Sequence, residues 1–173
     1  MKVIARYGKL IKIPRFLPCL HRKSTRYNLP RYLLHKGLSV SNSILIIAHA
    51  PLASALKECA AHVYGYDEHS LKSLIAVDVS PDADPVAVAD TISAKLSVNL
   101  PERNSALILT DVIGASPANI AEQLLRHADT TVITGVNLPM VLTAVCHRHK
   151  AFDQLCALVK EAGSFGITIR KSS

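Results

Sequence analysis

No aspartate or glutamate occurs in the first 43 residues, which nevertheless hold ten lysines and arginines; the rest of the 173-residue chain carries thirteen acidic side chains against ten basic ones. The net charge of +7 therefore belongs to the leader alone, and the remainder of the chain is mildly acidic. No apolar run approaches the roughly 20 residues that a membrane-spanning helix needs, so none is expected. The four cysteines, Cys19, Cys59, Cys146 and Cys156, form no C-x-x-C pair and no spacing that suggests a disulfide framework, which fits a reducing, cytoplasmic compartment. Seven scattered glycines never form G-x-G-x-x-G, which sets aside a dinucleotide-binding domain. A serine hydrolase built on Ser116 and His49 lacks the final glycine of G-x-S-x-G. It also has Pro117 where the usual oxyanion hole needs a backbone N–H.

Residues 1–43 contain three prolines and scattered tyrosines and show no sustained helical or alternating period. They read as a basic N-terminal extension: a disordered tail, an over-called start, an arginine-rich presequence, or an arm for an anionic surface. A secretory signal lacks its apolar centre, and no nucleic-acid role is expected.

From residue 44 to 173 the pattern changes. Strand candidates are Ile44 to Ile47, Leu74 to Val79, Ala106 to Thr110, Thr131 to Val136 and the short Gly166 to Ile169. Helical spacing joins Leu52, Leu56, Cys59, Ala60 and Val63; Val88, Ile92 and Leu96; Ile120, Leu124 and Leu125; and Phe152, Leu155, Cys156 and Val159. Breakers fall at Asp82 to Pro85, at Asn99 to Asn104 and at Gly163, where the last helix is expected to stop. Alternation of this kind predicts an α/β fold, doubly wound, with a mainly parallel four-stranded sheet in the order 2-1-3-4 and helices on both faces. The continuously apolar "ILII" and "ALILT" suit strands buried on both sides.

Open sheets of this class bind ligands beyond the carboxyl ends of their strands, where the strand order reverses. In the order 2-1-3-4 that place lies between the first strand, which ends at His49, and the third, which ends at Asp111. The segment "TDVIGASPANIAEQLL" after the third strand offers Gly114 for a tight turn, Ser116 as a helix cap and Pro117 at the first helical position. A helix that begins there presents N–H groups to an anionic oxygen. Histidine, carboxylate and anion cradle together suit phosphoryl transfer to imidazole without a metal or other cofactor. His49 would be the nucleophile, Asp111 would fix its tautomer, and Gly114, Ala115 and Ser116 would hold the phosphate. A non-covalent binding module that uses the same crevice remains the alternative. Cys146 and a histidine three residues on, within "CHRHK", have a spacing that could touch a metal, but cations at a helix end are expected anyway. His62, His69 and His127 receive no role.

At these residues the chain resembles the IIA component of the mannose-type (mannose/fructose/sorbose) family of the bacterial phosphoenolpyruvate-dependent sugar phosphotransferase system. The likeness spans about residues 43 to 169 and rests on "IIAHAPLASALKECA", "LILTDVIGASPANIA" and "ITGVNLPMVLTAV", in that order and spacing. It implies that His49 accepts a phosphoryl group from phospho-HPr and passes it to a IIB component, with Asp111 and Ser116 as supports. Crevice lining would come from Ala50, Pro51, Asn137, Leu138 and Pro139. It also implies a homodimer in which the last strand, here "GITI", pairs with the partner's sheet, and membrane contact only through a transporter complex. A related carrier feeding a dihydroxyacetone kinase would look the same. The chain departs from the family in having Ala50 and Pro51 where a glycine often follows the histidine, and G-A-S-P where the loop is often G-G-S-P or G-A-T-P.

Overall fold

The computed structural model describes residues 3–6, 9–12, 41–67, 71–99, 105–126 and 129–172. The chain divides into two units, Met1–Ser39 and Val40–Ser173. In the first, β1 (Val3–Arg6) and β2 (Lys9–Lys12) pair antiparallel, with Val3 opposite Lys12 and Arg6 opposite Lys9. The sequence pattern predicts no element there, because four-residue strands are too short for a period to register. The rest of that extension lies outside the described residues, as do most of the Asn99 to Asn104 linker, His69 and His127.

The second unit is built on β3 (Ser43–His49), β4 (Leu74–Val79), β5 (Ala106–Thr110) and β6 (Thr130–Ile133). All neighbours are parallel in the order β4-β3-β5-β6, the expected 2-1-3-4 counted from β3. Ile44, Leu45, Ile46 and Ile47 of β3 and Leu107, Ile108 and Leu109 of β5 are all fully buried. Burial of each such side chain is worth about 2 kcal/mol, which is why the two central strands dispense with polar alternation.

Among the described residues the unit has five α-helices: α1 (Leu52–Val63), α2 (Pro85–Asn99), α3 (Ser116–Gln123), α4 (Leu138–His147) and α5 (Phe152–Phe165). On one face Leu45, Ile47 and Ile108 pack with Ala89, Ile92 and Leu96 of α2 and Ile120 and Ala121 of α3. The alternate side chains of the strands point to the opposite face, where α1 lies on the sheet, α4 packs against α1 and α5 against α4.

Three expectations need correction. Helix α4 is additional to the four helical patterns of the sequence, and β6 stops at Ile133, three residues early, so that the chain can turn through Gly135 at φ +78° into that helix. Helix α5 runs past Gly163, which is buried for a packing reason. A Cβ there would lie 2.9 Å from both Cγ and Sδ of Met140, and one on Gly166 2.8 Å from Cγ of Pro139, so the two glycines let α5 close on the start of α4. Finally, Gly166 to Ile169 forms no strand in the single chain. Alternating isoleucine and threonine favour an extended backbone, but a strand requires a ladder partner, and neither sheet edge of this chain takes up the segment. Ile167 and Ile169 are left 77% and 88% exposed.

Candidate active site

The pairing of Ile47 with Thr110 brings the ends of β3 and β5 side by side, with His49 as the last residue of β3 and Asp111 as the residue just beyond β5. His49 Nδ1 lies 2.7 Å from Asp111 Oδ2, which also accepts the His49 backbone N–H at 2.9 Å. The other carboxylate oxygen, Oδ1, accepts the Val112 N–H at 2.8 Å. The carboxylate is nearly covered, 9% exposed as a side chain, while the imidazole is 49% exposed. Burial alone would raise the Asp111 pKa. The two bonds from His49, the Val112 amide and the attraction of the ring outweigh burial and hold it below its ordinary value. A carboxylate with that many donors is ionised at neutral pH and can only accept, so Nδ1 is the donor in this bond and Nε2 lies at the other end of the ring.

After Asp111 the chain turns through Gly114, whose φ of +79° only glycine adopts without strain. Ala115 comes next with an extended backbone, φ −85° and ψ 169°, and stands at the cap position of α3; Ser116 is the first helical residue and Pro117 the second. The cap expected at Ser116 is thus displaced by one residue. The exposed Ser116 hydroxyl is consequently not spent on the helix backbone. The N–H groups of Ser116 and Ala118 have no intrahelical partner and point out of the helix start. Neither Ala50 nor Ala115 has a positive φ, so alanine is at ease at both positions.

On the other side of His49, the Ala50 N–H donates to the Val79 carbonyl at 3.0 Å, and the Ser54 N–H at the start of α1 donates to Asp78 Oδ1 at 3.1 Å. Ala50 and Pro51 are exposed next to the imidazole along the chain. Across β5, the Gly135 N–H donates to the Asp111 carbonyl at 2.7 Å, and the Val136 N–H to that of Thr110 at 2.9 Å. These bonds seat the Asn137, Leu138, Pro139 turn at the same end of the sheet, on the far side of β5 from His49. Asn137 is spent on the fold: its Oδ1 accepts the Met140 N–H at 3.2 Å and its Nδ2 donates to the Gly163 carbonyl at 3.4 Å. Leu138 and Pro139 are half-buried as the first two residues of α4.

Sequence reasoning misses Asp78 and the backbone amides of Val112 and Gly135. Asp78 sits one residue before the end of its strand, the same kind of position that marks His49 and Asp111, and that signal could have found it. Among the described residues no group of three or more His, Cys, Asp or Glu could hold a metal ion, and no helix is long and apolar enough to cross a membrane. Cys59 and Cys156 are free thiols. His62 stacks edge-on against Tyr66, with centroids 6.3 Å apart. A cavity of about 370 Å³ lies away from His49, between β4 and α2, lined mainly by apolar side chains such as Ile75, Val77 and Val88.

A family model described as the PTS system fructose IIA component matches residues 43–162. The sorbose-specific EIIA component of the PTS system from Lacticaseibacillus casei is 29% identical over 114 residues, which make up 65% of this chain and 78% of that protein. Among solved structures, the mannose/sorbose-specific IIA subunit of the phosphotransferase system from Enterococcus faecalis superposes with a TM-score of 0.67 at 19% identity. That match covers 77% of this chain and 97% of the other. The phosphotransferase system component EIIA from Streptococcus agalactiae gives 0.63 at 21% identity, covering 73% and 95%. At these identities the structural likeness establishes the fold.

Proposed function

The chain belongs to the fructose/mannose-type IIA family of the sugar phosphotransferase system, and from that premise we propose that His49 is its phosphoryl carrier, loaded by phospho-HPr and unloaded by a IIB component in the cytoplasm. The observation that carries the reading is the pair of bonds from His49 to one oxygen of Asp111. They fix both the strand end and the ring, so the nucleophilic nitrogen is Nε2, facing solvent where a donor can reach it.

In the transfer, the Nε2 lone pair forms the new N–P bond while the donor's N–P bond breaks and leaves its electron pair on the donor nitrogen. The Nδ1 proton stays in place. The phosphorylated ring is formally cationic, and the ionised Asp111 stabilises it from 2.7 Å away. The three equatorial oxygens gather negative charge, which the Ser116 hydroxyl and the N–H groups at the start of α3 are suited to hold. No step needs a metal. The exposed isoleucines of the C-terminal segment support a homodimer in which that segment pairs with the partner's sheet.

The test is incubation with phosphoenolpyruvate, enzyme I and HPr. The parent gains one acid-labile phosphate, which a IIB component removes, and His49→Ala gains none. A protein that binds partners yet takes no phosphate would be a binding module of the same fold.

A further inference from the structure

The turn between Asp111 and Gly114 holds two β-branched side chains that the fold does not use: Val112 is 60% exposed and Ile113 is 75% exposed. Burying either would be worth about 2 kcal/mol, so a fold that leaves both in water beside a reactive imidazole has kept apolar surface where an interface would cover it. Around them, the segments 49–54, 111–117 and 134–139 contain no lysine or arginine, and their sole carboxylate is Asp111, already committed to His49. Ala50, Pro51 and Leu52 are exposed on the opposite side of the ring. Among the described residues, these three segments therefore bring exposed apolar side chains and no cation to the rim of the site.

We infer, resting on the carrier reading above, that Val112 and Ile113 are the apolar docking lip for the phosphorylated donor protein. The occupant is a protein surface that carries its phosphohistidine within an apolar patch. Transfer requires the donor phosphorus to come within bond-forming distance of Nε2. Any donor that achieves this covers the residues next to Asp111, so the lip is continuous with the site it serves. Ile113, more exposed than Val112 or Leu52, is the specificity-determining contact; it acts on association and not on the chemistry at the ring.

Two phosphoryl sources separate docking from chemistry. Phosphoramidate, a small donor, needs no protein interface, whereas phospho-HPr does. Ile113→Glu raises the KM for phospho-HPr roughly tenfold or more, with kcat nearly unchanged; labelling by phosphoramidate proceeds at the parent rate, and Ile113→Leu restores the parent KM. Because Ile113 contributes little to the core, circular dichroism of the variant matches the parent. An unchanged KM for Ile113→Glu overturns the inference, as does a fall in labelling by both sources alike. A parent labelled by phosphoramidate but not by phospho-HPr overturns the docking lip and leaves the carrier histidine standing. A parent labelled by neither overturns the carrier reading and the lip together.

Discussion

Replacement of Asp111 by asparagine keeps the shape of the side chain and removes one acceptor. Three donors converge on the carboxylate: the His49 amide and the His49 ring on Oδ2, and the Val112 amide on Oδ1. An asparagine offers a single oxygen. If the oxygen faces His49, its NH2 group meets the Val112 N–H, so two donors oppose each other and the Val112 amide must turn to water for a partner. If the NH2 faces His49, it repels the amide and forces the ring to accept at Nδ1. The proton then moves to Nε2 and the lone pair needed for attack is gone. In either orientation the charge that stabilises the cationic phosphorylated ring is lost, and a charge-assisted bond of this kind is worth about 1.5–3 kcal/mol. At 1.4 kcal/mol per factor of ten, transfer from phospho-HPr slows by roughly 10- to 100-fold. Single-turnover labelling followed by intact mass measures this directly. A variant as fast as the parent would refute the argument that Asp111 sets the tautomer and stabilises the product. The same substitution has a pH signature. A carboxyl held below its ordinary pKa contributes stability that is present above the unfolded value of about 4 and lost as pH falls through the lower folded value. Acid unfolding of Asp111→Asn is therefore less steep in that window than that of the parent.

Ser116→Ala should slow phosphoryl transfer roughly tenfold by removing one donor to the equatorial oxygens. It should leave thermal stability within about 0.5 kcal/mol, since α3 is not capped by that side chain; a Tm drop of many degrees would show the hydroxyl to be structural. Gly163→Ala should destabilise the protein by about 1–3 kcal/mol, because the new methyl must displace the buried Met140 side chain at 2.9 Å. An unchanged urea midpoint would mean that the α4–α5 contact has slack the structure does not show.

Much of this architecture is legible in the sequence because it rests on local pattern. The apolar runs of β3, β4 and β5 and the breakers between them place the strands within two residues, and the right-handed crossover rule turns alternation into a parallel sheet. Once the order is set, the switch-point rule puts His49 beside Asp111, 62 positions apart in sequence, and the 2.7 Å bond bears out that juxtaposition. The features that escape depend on contacts between distant segments. Gly163 looks like a stop signal until α4 is seen packed against it. Asn137 reads as crevice lining in the sequence, and only the structure shows that its side chain also caps α4 and reaches the Gly163 carbonyl. Asp78 supports the start of α1 only because β4 and β3 are neighbours. The one-residue displacement at Ser116 stems from Gly114, whose positive φ completes the turn early enough for Ala115 to take the cap position.

The most direct test of a carrier histidine held by Asp111 is the site of attachment of the phosphate. Phosphorus and nitrogen NMR of the protein labelled through phospho-HPr, with 15N in its histidine rings, distinguishes the two ring nitrogens. The expected result is one phosphate on Nε2 of His49, with Nδ1 still protonated and bonded to Asp111. Phosphate on Nδ1, on another residue, or on none would contradict it.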